Sequence, residues 1–415
     1  KKKKTDGDAF TGYENVAIGH NAGTNVSTSY RSIIIGPYAG DAITTTPGVV
    51  LIGYGAGGAI NHSDAQYTIA IGQSAGAAIT SGMRQTLVGY RAGISITEGD
   101  DNTLIGYNSG DSITTGLNNV VMGVNSLAAN ETGQRSVAIG DYALYASTVS
   151  GWTKNTAVGH SALGNIIATA GNTAVGYYAG YQSVLGVENT LVGAESGYYL
   201  VGSDSVHIGF QTGYYATGSY NTFIGSEAGK GSATSAPYSS GENNVALGYY
   251  ALRNLTTGGN NTILGKSAAP QITTLSDMTV IGTSALAGQQ GGATGRGTHI
   301  GSSAGYSQNI TSGVDKNISI GYTANYMNVT GNSNISIGYA AGYGVSTHSP
   351  GNNINIGYQA AQYISVGTGN VAIGTGAFQN AKSGSSVVAI GFEAGTYTTG
   401  SYNTFVGGQA GRGGT

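Results

Sequence analysis

Two histidines are the side chains best suited to metal or anion chemistry. His207 and His299 replace apolar residues at the same position of a phrase that recurs along the chain. If copies of the chain assemble around an axis, each histidine would be repeated beside that axis, and a ring of imidazoles can bind a metal or an anion. Neither is accompanied by the cysteines or carboxylates that usually complete such a site. A packed or water-bridged histidine is therefore the competing interpretation.

The acidic residues give no clear site. Glu98, Asp100, Asp101 and Asp111 form the densest acidic group and could hold Ca²⁺, but their spacing matches no EF-hand loop, which favours a solvated turn. Most of the 19 acids are isolated, whereas polysaccharide cleavage needs a carboxylate pair at a defined separation. The common phosphate-binding, zinc-protease and serine-hydrolase phrases are also absent. We therefore predict no enzymatic activity, no cofactor and no bound metal.

Tyrosine is the most abundant functional side chain, with 29 residues, whereas Trp152 is the only tryptophan. Many tyrosines directly follow a recurring glycine or lie in an outer turn of the repeat. Such rings can stack on a sugar or be buried against a protein receptor. The alternative is that they pack against one another along the repeats. The predicted receptor-binding residues are Tyr177, Tyr178, Tyr198, Tyr199, Tyr214, Tyr215, Tyr249 and Tyr250.

A short repeat must position all of these side chains. The phrase Asn-Thr-Leu-Ile-Gly-Tyr-Asn-Ser-Gly at 102–110 returns 23 times in recognisable form, most often with 17 residues between successive central glycines, as between Gly89 and Gly106. A unit this short is stable only when stacked on its neighbours. The sequence therefore predicts an all-β, parallel β-solenoid or β-roll of about 23 coils. We assign 1–10 to an N-terminal tail and 11–415 to a single repeat domain.

Each repeat contains a strand pattern that is apolar on both faces. The third residue before the central glycine is Val, Ile or Thr, and the residue directly before it is aliphatic or Met. We predict that these two side chains point into the coil. The residue between them is also mostly apolar, which predicts that another copy of the chain covers it. The predicted interface residues are Leu51, Leu87, Leu104, Val121, Leu191, Phe223, Ile263 and Phe405.

Two further features of the repeat carry predictions. Segments such as 112–115, which ends at Gly116, indicate a second short strand in each coil. Asparagine opens the phrase in many repeats, for example Asn102 and Asn172. At one residue per coil, these amides would stack into a ladder that satisfies neighbouring backbone groups.

Composition excludes several classes of partner. Only 8% of the residues are charged and the formal net charge is −3, which argues against a nucleic-acid partner. No apolar run is long enough to span a membrane. The absence of cysteine excludes a disulfide framework and thiolate metal sites.

Phrases such as Asn15-Val16-Ala17-Ile18-Gly19 and Asn370-Val371-Ala372-Ile373-Gly374 resemble the repeats of YadA-like heads of trimeric autotransporter adhesins, and similar repeats occur in phage tail fibres. The resemblance covers nearly the whole chain. It implies a left-handed parallel β-roll, a side-by-side homotrimer around a threefold axis, and an extracellular location on a virion or a cell surface. It also implies attachment to a host glycan or protein receptor. The 17-residue coil is longer than is typical of that family, which predicts a longer outer turn or second strand.

Three functions are compatible with these features. The first is a receptor-binding or adhesive fibre, favoured by the repeat and the tyrosine-rich turns. The second is a structural filament without a ligand, because open coil ends expose strand edges and invite end-to-end self-association. The third is a tailspike that cleaves polysaccharide, against which the scarcity of paired carboxylates argues.

Overall fold

The computed structural model describes residues 11–148, 150–167, 170–183, 186–232, 239–288, 295–307, 316–345 and 350–414, so the predicted tail at 1–10 lies outside the described residues. Within these ranges the chain forms short strands and turns, one 3₁₀ helix at Ser63–Ala65 and no α-helix. The predicted all-β parallel solenoid is confirmed. None of the described segments is a helix that could cross a bilayer.

The chain divides into two compact units, Lys1–Asp204 and Ser205–Thr415. In the first unit, β8 and β10 form a small sheet of their own, while the other strands belong to the main sheet. The strands of the first unit are β1 (Val16–Ile18), β2 (Ile33–Ile35), β3 (Val50–Ile52), β4 (Ile69–Ile71), β5 (Thr86–Val88), β6 (Thr103–Ile105), β7 (Val120–Met122), β8 (Gly133–Gln134), β9 (Val137–Ile139), β10 (Gly151–Trp152), β11 (Thr156–Val158), β12 (Thr173–Val175) and β13 (Thr190–Val192).

The second unit repeats the same three-residue strand. Its strands are β14 (Val206–Ile208), β15 (Thr222–Ile224), β16 (Val245–Leu247), β17 (Thr262–Leu264), β18 (Thr279–Ile281), β19 (Thr298–Ile300), β20 (Ile318–Ile320), β21 (Ile335–Ile337), β22 (Ile354–Ile356), β23 (Val371–Ile373), β24 (Val388–Ile390) and β25 (Thr404–Val406).

Equivalent residues of successive coils lie side by side within each unit. In the parallel pair β6 and β7, Thr103 lies beside Val120 and Leu104 beside Val121. Each position of the repeat therefore forms a column along the sheet, with neighbours at the usual inter-strand spacing of about 4.8 Å.

In most of the three-residue strands, the side chains point in the directions opposite to those predicted. The middle residue Leu104 is completely buried within its own chain, whereas the flanking Thr103 and Ile105 are partly exposed. Columns of small and branched residues, such as Ala92 and Ile96, complete the coil interior. The tight turns leave room inside for only one side chain of each three-residue strand.

The predicted interface therefore needs correction. A side chain that its own coil already covers has no surface left for a second chain, so the prediction that these residues contact another copy is wrong for the seven that are fully buried. The eighth residue, Phe405, is partly buried. The seven that are fully buried in the single chain are Leu51, Leu87, Leu104, Val121, Leu191, Phe223 and Ile263.

The predicted second strand is also wrong for the segment at 112–115, which lies in turns. Its backbone still joins neighbouring coils: Thr97 N donates to Thr114 O at 2.9 Å, and Thr114 N donates to Glu131 O at 2.8 Å. These contacts involve too few successive residues to make an extended strand. In the described part of the chain, the small sheet of β8 and β10 is the one addition to the main sheet.

The central glycines are required by backbone geometry. Gly36 has a φ of +127°, which L side chains rarely adopt, and a Cβ atom there would lie 2.6 Å from the carbonyl oxygen of Gly53 in the next coil. Close stacking of coil on coil at this corner therefore excludes a side chain.

The predicted asparagine ladder is confirmed. Asn119 N donates to Asn102 Oδ1 at 3.0 Å, and Asn119 Nδ2 donates to Gly133 O at 2.9 Å. Asn119 Oδ1 in turn accepts from Ser136 N at 3.0 Å. One buried amide thus joins three successive coils and satisfies backbone groups that the turns leave unpaired.

Candidate functional site

The strands present an apolar face to solvent. In β7, Val120 and Met122 are 39% and 43% exposed, while Val121 between them is fully buried. We call the first and third residues of the strands the outer sheet face. Soluble proteins rarely leave such stripes uncovered, so this surface is a candidate interface. Other exposed members are Val16, Ile18, Ile33, Ile69, Val175, Ile208, Val245, Leu247, Ile390 and Val406.

The predicted receptor residues of the first unit belong to one aromatic cluster. Tyr177 is 50% exposed and packs edge to face against Tyr178, with 4.3 Å between the ring centroids. His160 stacks on Tyr177 at 5.6 Å. Tyr198 and Tyr199 are partly exposed, and burial raises the pKa of Tyr198. The aromatic cluster comprises His160, Tyr177, Tyr178, Tyr181, Tyr198 and Tyr199.

The predicted residues of the second unit form two ring pairs. Tyr214 and Tyr215 are partly exposed and meet at right angles, with centroids 4.6 Å apart. Tyr249 and Tyr250 are stacked at 3.9 Å, and a hydrogen bond with Tyr249 raises the pKa of Tyr250. The guanidinium carbon of Arg253 lies 4.7 Å from the Tyr250 centroid. The rings of the second pair are therefore fixed by a charged neighbour as well as by each other.

Arg253 belongs to a half-buried ion cluster. Its Nη2 lies 2.8 Å from Glu227 Oε2, and Lys230 Nζ lies 3.0 Å from the same oxygen. Burial opposes ionisation of Glu227, but hydrogen bonds from Arg253 and Lys230 outweigh it and hold the pKa of this carboxyl below its ordinary value. The cluster joins two successive coils and already uses its charges internally.

Other tyrosines pack along the solenoid. Tyr322, Tyr339 and Tyr358 stack in succession with centroid distances of 5.4 and 5.1 Å, and Tyr90 stacks on Tyr107 at 5.1 Å. Stacked rings cover one another's faces and leave mainly edges and hydroxyls exposed. The predicted ring-packing alternative therefore describes these columns.

The two histidines lie inside the coils. His207 and His299 are both fully buried middle residues, and His207 stacks on Phe223 with 5.1 Å between the centroids. Burial lowers the pKa of His207 to about 3, so it is neutral in the folded chain at neutral pH. The hypothesis of a histidine ring facing another copy is wrong, because this face of the strand points into the chain.

The acidic group serves mainly to join coils. Asp101 Oδ2 accepts from Arg84 Nη2 at 2.8 Å, and Asp100 Oδ1 accepts from Met83 N at 2.9 Å. Burial raises the pKa of Asp111. Across the described ranges, no three histidine or carboxylate side chains lie close enough together to hold a metal ion.

Sequence reasoning assigned no role to Trp152. This residue lies in β10 beside Gln134 of β8, and its indole is 61% exposed. Arg135 Cζ is 4.2 Å and Lys154 Nζ 5.1 Å from the ring. We call these three residues the tryptophan site. The available signals were the single tryptophan and the 19-residue interval between Gly140 and Gly159.

No family model, curated protein or solved structure matched this chain in the comparisons made.

Proposed function

We propose that the chain is the repeat segment of an extracellular attachment fibre, on a virion tail or a bacterial surface, that binds a host glycan or protein receptor. The observation that carries the proposal is the aromatic cluster, in which the exposed Tyr177 is held by His160 and Tyr178. Rings that are already ordered lose little conformational entropy on binding, which favours their use in recognition. The YadA-like repeat phrases support the same proposal.

Assembly as a side-by-side homotrimer is part of this proposal. The outer sheet face is the surface that a neighbouring copy would cover, and residues such as Ile18, Val120 and Met122 would then be buried. The gain is about 25 cal/mol for each Å² of apolar surface removed from water.

Tyr177→Ala tests the attachment. Tyr107→Ala is a matched control, because both residues follow a central glycine and both rings are 50% exposed. We expect Tyr177→Ala to weaken binding to a host glycan array or to host cells by about tenfold, as for an interface anchor. Tyr107→Ala should leave binding unchanged. Equal losses in both variants, or no binding by the parent protein, would contradict the proposal.

A structural filament without a ligand is the second candidate. The stacked row of Tyr322, Tyr339 and Tyr358 favours it, because there the aromatic rings join coil to coil. Filaments that lengthen with protein concentration in electron micrographs, together with no receptor binding, would support end-to-end self-association and this second function.

A further inference from the structure

Several neighbouring residues in one column of the repeat carry opposite charges. The residue five before each central glycine commonly has a positive φ, as in Arg84 and Asp101 with 55° and 58°. Neighbouring coils place these residues side by side, and Arg84 binds Asp101 while Arg31 Nε lies 3.0 Å from Glu14 Oε2. Opposite charges on neighbouring strands stabilise the stack, and like charges destabilise it.

Arg135 and Lys154 are consecutive members of the column with the same charge, since Val137 lies beside Thr156 in the paired strands, and both side chains are exposed. Arg296 and Lys316 are a second such pair, but there Arg296 is paired with Asp277. No carboxylate in the described part of the chain pairs with either Arg135 or Lys154. Five of the other six arginines form ion pairs, and the charge of the sixth, Arg91, acts on Asp111. The five pairs are Arg31 with Glu14, Arg84 with Asp101, Arg253 with Glu227, Arg296 with Asp277 and Arg412 with Glu393.

Trp152 brings the two cations to one place. The π-system of the indole attracts both cations, and this attraction offsets part of the repulsion between them. The backbone beneath is well anchored: the buried Thr153 donates from Oγ1 to Gln134 O at 2.8 Å and lies 2.6 Å from Ser136 Oγ. The arrangement keeps a planar guanidinium, an ammonium and an aromatic surface together on the outside of the chain.

We propose that the tryptophan site binds an acidic saccharide, a glycan unit that bears a carboxylate or a sulfate. The anionic group would accept hydrogen bonds from Arg135 and Lys154, because guanidinium and ammonium groups pair strongly with such oxygens. The apolar face of the sugar ring would contact the exposed part of Trp152. Two cations in a chain of net charge −3 are too few for nucleic-acid binding. The site uses no residue of the aromatic cluster, so it goes beyond the function proposed above.

The single tryptophan provides a direct readout. We would titrate the protein with an oligogalacturonate while recording tryptophan fluorescence, and repeat the titration with a neutral galacto-oligosaccharide of equal length. We expect saturable change with the acidic sugar alone, weakened by salt. Arg135→Gln and Lys154→Gln should each weaken binding by about tenfold, the loss expected for one charge-assisted hydrogen bond. Lys266→Gln, at an exposed lysine of the second unit, is the control and should have no effect.

Thermal unfolding separates binding from a structural role. Removing one of two neighbouring like charges should leave the melting temperature unchanged or raise it, whereas a structural role predicts a fall. Tyr177→Ala should leave the fluorescence response intact, so failure of the attachment proposal and failure of this site give different results. Equal affinity for the neutral sugar, unchanged affinity in the double variant, or a response to anionic vesicles but not to oligogalacturonate would overturn the proposal.

Discussion

At the scale of single residues, burial in the coil interior determines whether a side chain can ionise. His207 occupies the middle position of β14, where leucine or alanine stands in many other coils, and it is fully buried against Phe223. Because burial disfavours the charged imidazolium, the pKa of His207 falls to about 3.

This pKa predicts sensitivity to acid. The folded pKa lies below the ordinary value of 6.5, so the unfolded chain takes up the proton first as the pH falls. The free energy of unfolding is therefore highest above pH 6.5. It falls progressively as the pH is lowered towards 3, by a total on the order of 5 kcal/mol. Urea unfolding of the parent and of His207→Leu between pH 7 and pH 4 measures the effect. The variant should lose less stability, and equal acid sensitivity would contradict the assignment.

At the scale of the coil, stacking places different demands on different glycines. Position 36 does not accept a side chain, because its φ is +127° and because a Cβ atom there would collide with the carbonyl oxygen of Gly53. Gly55 has a φ of +63°, and a Cβ atom there meets nothing within 4 Å. Tyr38 and Ser74 adopt a similar φ of 58° at the equivalent position, so this corner tolerates side chains.

Gly36→Ala and Gly55→Ala should therefore differ in stability. Gly55→Ala should cost about 1 kcal/mol, the penalty of a left-handed conformation for an L-residue. Gly36→Ala should cost several times more, because the added methyl group meets backbone that can move only by separating the coils. Chemical denaturation measures both losses, and similar values for the two variants would refute this account of the corner.

Asn119→Ala tests the ladder that joins the coils. It leaves the buried Gly133 carbonyl and Ser136 N–H without their side-chain partner, and each unsatisfied group costs about 1–3 kcal/mol. Asn25→Ala is the control, since the exposed Asn25 makes a single hydrogen bond to Asp41 O. Hydrogen exchange should show faster opening around 102–136 only in the first variant. Unchanged exchange there would mean that the ladder contributes little.

At the scale of the whole molecule, the adjacent Val120 and Val121 separate folding from assembly. Val121→Asp places a charge in the closed coil interior and should unfold the coils around it. Val120→Asp places the same charge on the outer sheet face, so the single chain should remain folded while the proposed homotrimer dissociates. Circular dichroism and sedimentation velocity distinguish these outcomes. A folded variant at Val120 that still sediments as a trimer would show that copies do not meet through this face.

The sequence alone determined the repeat, the parallel stacking of coils, the central glycines and the asparagine ladder. The physical reason is local: equivalent residues recur at intervals near 17, so stacking one coil on the next brings each residue type beside its own copies. The roles of Asn119 and Gly36 therefore follow from their positions in the repeat. The abundance of surface tyrosine was visible in the same way, although which rings pack and which stay exposed was not.

The tertiary structure decided which side of each strand faces inward. A strand with β-branched or aliphatic residues at all three positions, such as Thr103–Ile105, does not reveal from its sequence which face is buried. Only the closure of the turns showed that Leu104 fills the coil while Thr103 and Ile105 point outward. It also decided which side chains meet across coils. Arg135, Trp152 and Lys154 are separated by up to 19 residues in sequence, and only the register between coils places both cations beside one indole.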